Sequence, residues 1–248
     1  MLDTQAALLD AAERPEILGA FAATTLSFPR TAVLTSSLSD VAGLIPDNLE
    51  GVRVLELGAG IGRFTGALAR RGASRVHAVD FMENLIQEVC PQRSLLCLAH
   101  GADAALRCVA LGPQNEKQHA NLGNTSFEAA DVMQMALAAG SFDLVFTNWL
   151  FMYLNDAELS ALAPRLLRCL SAGGRLFFRE SCNRQSGDRS RAFNPSHYRS
   201  AEAYTALFGE LRGADGSRFM LESTGSVKAY IELKNNPNQI FWVWRKCA

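Results

Sequence analysis

Short β-rich runs alternate with helical stretches along this chain, and this alternation limits the possible folds more than any other feature. Runs rich in branched and aromatic residues predict strands at 53–57, 75–80, 125–131, 142–148 and 174–180. One helical pattern follows the first strand to about Gly72, and another spans 156–170 and is stopped by small residues at 171–174. Strands that alternate with helices favour a doubly wound, mostly parallel sheet with helices on both faces. Two later runs, 218–227 and 239–247, predict an antiparallel pair that closes one edge.

Length and composition indicate one α/β domain over residues 1–248. With 248 residues, of which 48% are hydrophobic, the chain is long enough to bury one sizeable core. Two segments, near 22–50 and 94–125, do not fit the strand and helix alternation and are interpreted as insertions. The second is apolar enough to pack against the domain as a helix.

The charge and the apolar runs argue against several classes of partner. A formal net charge of −1 gives no general attraction to nucleic acid or to anionic membranes. No apolar run approaches the ~18 residues that a membrane span needs, so we expect no membrane insertion and a cytoplasmic location. The six cysteines include no C-x-x-C pair, and the four histidines do not lie at ligand spacing beside them, so we expect no metal site.

A glycine-rich turn follows the first predicted strand in the segment E-L-G-A-G-I-G-R. Glycines at Gly58, Gly60 and Gly62 allow the backbone to approach a ligand closely and to present helix N-terminal N–H groups. A dinucleotide fingerprint needs a third glycine where Arg63 stands, which weakens an NAD interpretation. Glu56, two positions before the turn, is the acid expected where the ligand carries an amino acid end. The pattern resembles motif I of class I S-adenosylmethionine-dependent methyltransferases.

Polar side chains stand where the next predicted strands end. Asp80 lies about the distance downstream of the glycine turn at which an acid accepts hydrogen bonds from ribose hydroxyls. Asp131 and Val132 end the third strand, where class I methyltransferases place an acid near the adenine amino group and an apolar side chain against the ring. Asn148 closes the fourth strand. Together these positions predict a nucleoside-cofactor site at one edge of the sheet.

An arginine-rich stretch suggests a second, anionic ligand. Residues 175–199 contain six arginines against only Glu180 and Asp188. The turn at 185–188 offers hydroxyl and backbone donors, while Arg191 and Tyr198 are suited to charge-assisted hydrogen bonds with a phosphate. A solvated basic loop is the alternative interpretation of the same charges.

Five segments extend the resemblance to a particular family. These are MLDTQAALLDAAERPEIL, VLELGAGIGRFTG, FTNWLFMYL, FFRESCNRQSGDRSRAFNPSHYR and NQIFWVWRK. Together they resemble the first methyltransferase domain of plant phosphoethanolamine N-methyltransferases over nearly the whole chain. The loop that begins R-E-S-C is specific to this family, whereas the glycine turn is shared by methyltransferases in general. Relative to the family, the chain begins at the MLD motif, carries the two insertions and is expected to lack the second methyltransferase domain.

The resemblance implies a Rossmann-like class I fold, S-adenosylmethionine as cofactor and S-adenosylhomocysteine as product. The residues implied to bind the cofactor are Glu56, Gly58, Gly60, Arg63, Asp80, Phe81, Asp131, Val132 and Asn148. Those implied to bind the phosphobase are Ser181, Ser186, Gly187, Arg191 and Tyr198. The plant arrangement associates the first domain with the initial methylation, so a partner methyltransferase is implied for later ones.

Methyl transfer to an amine needs alignment and a proton acceptor, without a covalent nucleophile. Tyr153, in the segment that follows the fourth strand, is the preferred group near the amine, and His197 is the second choice. Two alternatives remain: methylation of another small amine or of a carboxylate, and a catalytically silent protein that binds S-adenosylmethionine beside another methyltransferase.

Overall fold

The computed structural model describes residues 44–60, 62–81, 122–185 and 195–248. Within them, seven strands form one sheet in the order β3-β2-β1-β4-β5-β7-β6. The strands are β1 Arg53–Leu57, β2 Arg75–Asp80, β3 Thr125–Ala129, β4 Phe142–Asn148, β5 Leu170–Ser181, β6 Arg218–Ser226 and β7 Gln239–Cys247. The expected doubly wound sheet is therefore confirmed.

The direction of the strands places the ligand edge. Strands β1 to β5 pair in parallel, whereas β7 runs antiparallel between β5 and β6. The predicted antiparallel closing pair is confirmed as well. The chain moves outward from β1 through β2 to β3, and then returns to the other side of β1 at β4. Ligands of open α/β sheets bind at such a switch point, outside the carboxyl ends of the strands.

Alternating strand residues supply two cores, one on each face of the sheet. Leu55, Val145 and Leu176 face one core, while Val54 and Leu144 face the other. Because both faces are covered, the central strands read as nearly continuous apolar runs. This explains why their bounds were predictable from the sequence.

Four α-helices and one 3₁₀ turn accompany the sheet in the described residues. They are α1 Arg63–Arg70, the 3₁₀ turn Phe151–Tyr153, α2 Asp156–Cys169, α3 Ala201–Glu210 and α4 Lys228–Lys234. Helix α2 begins with a capping box, in which Asn155 accepts from the Glu158 amide at 2.9 Å and Glu158 accepts from the Asn155 amide at 2.8 Å. It packs against the sheet through Leu159, Leu162 and Leu166, which are fully buried.

The structure differs from the sequence prediction at a few boundaries. Helix α2 ends at Cys169, and β5 begins directly at Leu170, which pairs with Phe142 before a register shift. The small residues that stop the helix therefore belong to an irregular start of the strand. Helices α3 and α4 were not predicted. Most of the two expected insertions, including 22–43 and 94–121, lies outside the described residues.

Candidate active site

The glycine turn lies over the end of β2. Gly58, Gly60 and Gly62 have φ values of 71°, 53° and 71°, in the left-handed region that favours glycine. The amide of Gly58 donates to the Val79 carbonyl at 2.9 Å, and the Gly60 amide donates to Oδ2 of Asp80 at 2.7 Å. The turn and Asp80 therefore form one unit at the carboxyl edge of the sheet, as predicted.

Glu56 is buried directly before this turn. Its side chain accepts a hydrogen bond from the Thr65 hydroxyl at 2.5 Å, which ties β1 to helix α1. Burial raises the pKa of Glu56 to about 8, the Thr65 hydrogen bond opposes that shift, and the nearby Asp80 adds to it. Arg63 is the first residue of α1. The N-cap of this helix is Gly62, so no side chain caps it with a hydrogen bond.

The other predicted cofactor residues lie along the same edge. Asp80 and Asn148 are the last residues of β2 and β4, and Phe81 follows Asp80 with 46% of its surface exposed. Asp131 comes shortly after β3 and accepts from the Met133 amide at 2.8 Å and from Nε2 of Gln134 at 3.1 Å. Val132 is buried against the core. The structure thus brings these residues together because parallel strands end at one edge.

Trp149 adopts a left-handed conformation beside this edge. Its φ of 58° is unusual for a residue with a large side chain. Three contacts hold it: its amide donates to the Arg179 carbonyl at 2.8 Å, its indole Nε1 donates to Gln239 at 2.8 Å, and the Arg179 guanidinium lies 4.7 Å from its ring centroid. Strained backbone of this kind persists where its surroundings over-determine it, often at functional sites.

The two candidate proton acceptors lie on adjacent backbone segments. Tyr153 ends the 3₁₀ turn and is partly buried. The amide of His197, an exposed residue, donates to the carbonyl of Met152 at 2.6 Å. The structure therefore brings together two residues that are far apart in the sequence.

The arginine-rich stretch divides into two groups. Arg175 pairs with Glu222 at 2.6 Å, Arg179 is buried beside Trp149 and Tyr230, and Arg199 pairs with Asp156 at 2.7 Å. These three arginines therefore have structural contacts within the domain. Of the other three, Arg184 is exposed, and Arg189 and Arg191 lie outside the described residues.

The predicted phosphobase residues are only partly described. Ser181 is buried and its hydroxyl lies 2.8 Å from Nε2 of Gln239 and 3.1 Å from Oε1. Tyr198 is partly buried next to His197. Ser186, Gly187 and Arg191 lie outside the described residues. The assignment of this group to a phosphobase stays a prediction.

A family model with the description "Methyltransferase domain" matches residues 55–178, from β1 to the middle of β5. The chain belongs to this family. The match includes the glycine turn, the strand ends at Asp80 and Asn148, Asp131 shortly after β3, and helix α2. The sheet order, the antiparallel edge and this match together confirm the class I methyltransferase fold that the sequence predicted.

The resemblance to one group of methyltransferases is also confirmed. The chain is 38% identical over 252 residues to phosphoethanolamine N-methyltransferase 1 of maize. The aligned region covers 99% of this chain and 40% of the relative. It is 39% identical over 254 residues to phosphoethanolamine N-methyltransferase 3 of Arabidopsis thaliana, covering 100% of this chain and 41% of the relative. This methyltransferase domain therefore spans about two fifths of the length of these relatives.

A solved structure agrees with this likeness. Phosphoethanolamine N-methyltransferase 1 of Haemonchus contortus, in complex with phosphoethanolamine and S-adenosylhomocysteine, is 31% identical with a TM-score of 0.70. The match covers 88% of this chain and 43% of that one.

Sequence reasoning missed several polar residues of this methyltransferase domain whose side chains have little or no exposed surface. Glu180, Arg199 and Gln239 each bond to the segment that follows β4. Glu180 and Arg199 were counted only as charges of the arginine-rich stretch, although an acid next to a predicted buried strand end was a usable signal.

Among the described residues, no helix is long and apolar enough to cross a membrane. The same part of the chain contains no group of three or more His, Cys, Asp or Glu side chains that could hold a metal ion.

Proposed function

We propose that the chain is an S-adenosylmethionine-dependent N-methyltransferase that methylates phosphoethanolamine. The observation that carries the proposal is the likeness to phosphoethanolamine N-methyltransferases at 38–39% identity over nearly the whole chain. The Haemonchus contortus enzyme, which matches at a TM-score of 0.70, was solved with phosphoethanolamine and S-adenosylhomocysteine. Since the resemblance associates the first domain of the plant enzymes with the initial methylation, we propose that step as the reaction of this domain.

The residues at the carboxyl edge fit S-adenosylmethionine. Gly58 and Gly60 have positive φ angles and no Cβ atoms, so the backbone of this turn can approach a ligand closely. Asp80 lies beside the turn as an acceptor for ribose hydroxyls. Phe81 provides exposed apolar surface next to Asp80, as a nucleoside ligand requires. Glu56 and Arg63 bracket the turn, and Asp131, Val132 and Asn148 complete the proposed cofactor set.

Methyl transfer to an amine requires mainly that the protein aligns the two reactants and accepts one proton. Bound S-adenosylmethionine supplies the methyl group as an electrophilic carbon on a sulfonium. The chain must hold the acceptor nitrogen in line with that carbon and exclude water. A free alkylammonium has a pKa of roughly 10, like lysine, so a nearby acceptor must help to remove its proton. We propose Tyr153 for this role, with His197 as the alternative on the adjacent segment.

The phosphate of the acceptor is assigned to the loop that follows β5. We propose that Ser181, Ser186, Gly187, Arg191 and Tyr198 bind the phosphobase, with Arg191 gripping two phosphate oxygens through its planar fork. Phosphate binding then provides the energy that positions the amine at the other end of the small substrate.

The assignment is tested by measuring S-adenosylhomocysteine after incubation with S-adenosylmethionine and either phosphoethanolamine or ethanolamine. We expect turnover with the phosphorylated acceptor and very little with ethanolamine. Arg191→Ala should weaken phosphobase binding by about 1.5–3 kcal/mol, roughly 10- to 150-fold, with cofactor affinity little changed. Arg189→Ala, which removes the same charge from the same stretch, is the matched control and should lose far less.

Three results would contradict the proposal. Equal kcat/KM for ethanolamine and phosphoethanolamine would mean that the arginine-rich stretch is a solvated loop that binds no phosphate. Another small amine would then be the acceptor. Equal losses of phosphobase affinity in Arg191→Ala and Arg189→Ala would mean that Arg191 has no specific contact with the phosphate. Cofactor binding without turnover on any amine or carboxylate would indicate a silent partner protein. A partner methyltransferase for later methylations and a cytoplasmic location stay predictions.

A further inference from the structure

The 3₁₀ turn that carries Tyr153 is held at its N-terminal end by the buried carboxyl group of Glu180. Glu180, which has no exposed surface, accepts from the amides of Leu150 at 3.1 Å and Phe151 at 2.8 Å through Oε1. Its Oε2 accepts from the Met152 amide at 3.3 Å. Three successive backbone donors therefore converge on one side chain. Such an arrangement orients the turn, because buried polar oxygens are costly unless they are hydrogen-bonded.

An arginine bonds to carbonyls at the start of the same turn and directly after it. Arg199 donates from Nη1 to the Phe151 carbonyl at 2.9 Å and from Nη2 to the Leu154 carbonyl at 2.6 Å. Its Nε donates to Asp156 at 2.7 Å, and its side chain is only 10% exposed, whereas that of Asp156 is 91% exposed. The planar guanidinium thus bridges acceptors that a single ammonium cannot reach in the same geometry.

These two residues also bound the proposed acceptor segment. Glu180 stands next to Ser181 near the end of β5, and Arg199 directly follows Tyr198. Between them, the Asn183 amide donates to the Arg199 carbonyl at 3.1 Å, and the His197 amide donates to the Met152 carbonyl at 2.6 Å. The two ends of the segment are therefore bonded to each other and to the turn.

We propose that Glu180 and Arg199 are positioning residues that join the Phe151–Tyr153 turn and both ends of the acceptor segment 181–199 into one unit. The inference rests on the proposed function, since it concerns the alignment of Tyr153 with a substrate held by that segment. Neither residue needs to touch the substrate. A displacement of about 1 Å at a reacting group is enough to cost on the order of 100-fold in rate, so the unit matters for turnover.

The variants follow from the hydrogen bonds. Glu180→Gln keeps the shape but replaces one oxygen, which can accept a hydrogen bond with or without a proton on the group, by an amide nitrogen that cannot accept from the backbone N–H group facing it. Arg199→Lys keeps the charge and loses the fork that bridges the two carbonyls. Asp156→Asn is the matched control, because it changes the exposed partner of Arg199 and leaves both bonds to the turn in place.

Two measurements are made on the full chain: steady-state kinetics with phosphoethanolamine, and hydrogen–deuterium exchange at 150–154 and 195–199. We expect kcat to fall about 10- to 100-fold in Glu180→Gln and Arg199→Lys, with the Kd for S-adenosylmethionine within about twofold. Asp156→Asn should keep the wild-type kcat. Each of the first two variants should speed exchange in both regions. Of the two regions, the side chains of Glu180 and Arg199 bond only to 150–154, so faster exchange at 195–199 shows that the two regions are joined.

The inference is overturned if exchange changes only in the region bonded to the substituted side chain, or if folded variants keep wild-type kcat. A loss of kcat in Asp156→Asn equal to that in Arg199→Lys would also overturn it. If Glu180→Gln does not fold, Arg199→Lys alone decides through the same readouts. In a different outcome, the wild-type chain fails to turn over phosphoethanolamine while the two variants still speed exchange in both regions. That result would contradict the proposed function and leave the joined unit intact.

Discussion

Glu56 on β1 and Glu180 on β5 are carboxylates buried within the sheet. Burial raises the pKa of each to about 8, although hydrogen bonds from Thr65 to Glu56 and from three backbone amides to Glu180 work in the opposite direction. In the unfolded chain both groups titrate near the ordinary glutamate pKa of 4.5. At the residue scale, these two side chains therefore make the stability of the domain dependent on pH.

Glu56→Gln should reduce that dependence. The folded wild type holds a proton on Glu56 up to about pH 8 while the unfolded chain loses it near 4.5, so its stability falls as pH rises through this window. The glutamine keeps the shape and an acceptor for Thr65 but does not titrate. We expect the variant to be more stable than the wild type by about 1–3 kcal/mol at pH 8.5 and nearly equal at pH 5.

Denaturant unfolding at several pH values, without cofactor, measures this difference. Part of the pH dependence should remain in the variant because Glu180 acts in the same direction. A constant difference between variant and wild type from pH 5 to pH 8.5 would contradict the expected protonation of Glu56.

At the scale of elements, the connections after β1 and after β4 meet each other. Gly58 in the first connection lies against Leu150 in the second, so that an added Cβ would come within 3.3 Å of the Leu150 Cβ. The φ of 71° at Gly58 adds a backbone cost for any other residue. The turn proposed for the cofactor and the segment that leads to Tyr153 are thus fitted to one another.

Gly58→Ala should therefore lose both stability and cofactor affinity. We expect a loss of about 2–3 kcal/mol in stability, from the left-handed backbone and the contact with Leu150, and at least a tenfold weaker Kd for S-adenosylmethionine. Gly140→Ala is the control, because Gly140 has a φ of 65° but no described atom would lie within 4 Å of its Cβ. It should lose only about 1 kcal/mol of stability.

Calorimetric titration with S-adenosylmethionine and thermal unfolding separate the two effects. Gly58→Ala with wild-type cofactor affinity would show that this turn does not hold the cofactor. Equal stability losses at the two glycines would show that the Leu150 contact is relieved easily.

On the scale of the whole molecule, one sheet with the order β3-β2-β1-β4-β5-β7-β6 carries every described site residue along its carboxyl edge or in the connections that leave it. The chain spans about two fifths of the length of the phosphoethanolamine N-methyltransferases that it resembles. The proposed initial methylation requires this domain to accommodate only a small primary amine beside the methyl donor.

The acceptor series tests that expectation. Phosphoethanolamine should have the highest kcat/KM, and phospho-dimethylethanolamine should be at least about tenfold poorer, because added methyl groups in a fitted pocket change binding by about 1–3 kcal/mol. Kinetics with phosphoethanolamine and its monomethylated and dimethylated forms, together with mass analysis of the products, provide the measurement. Equal kcat/KM for all three would mean that this chain needs no partner methyltransferase.

Much of the fold was readable from the sequence because its signals are local. The strands at 53–57, 75–80 and 142–148 have the predicted bounds, since residues buried on both faces form continuous apolar runs. The glycine turn and the acids at the strand ends were predictable for a similar reason, because a tight turn and a parallel edge impose residue types at fixed spacing. Helices α3 and α4 were missed because each buries only two residues, Tyr204 and Phe208 in α3 and Ala229 and Tyr230 in α4, which leaves a weak apolar periodicity.

Only the tertiary structure decided which polar residues support the site. Glu180 reaches amides 29 residues away at Phe151, Arg199 reaches a carbonyl 48 residues away, and Gln239 bonds Trp149 across 90 residues. A charge count placed Arg175, Arg179 and Arg199 in one anionic-ligand cluster, whereas the fold gives each of them contacts within the domain. The sequence determined the sheet and its ligand edge through local periodicity. The hydrogen-bond partners of buried side chains depend on which strands become neighbours, and that order exists only once the chain has folded.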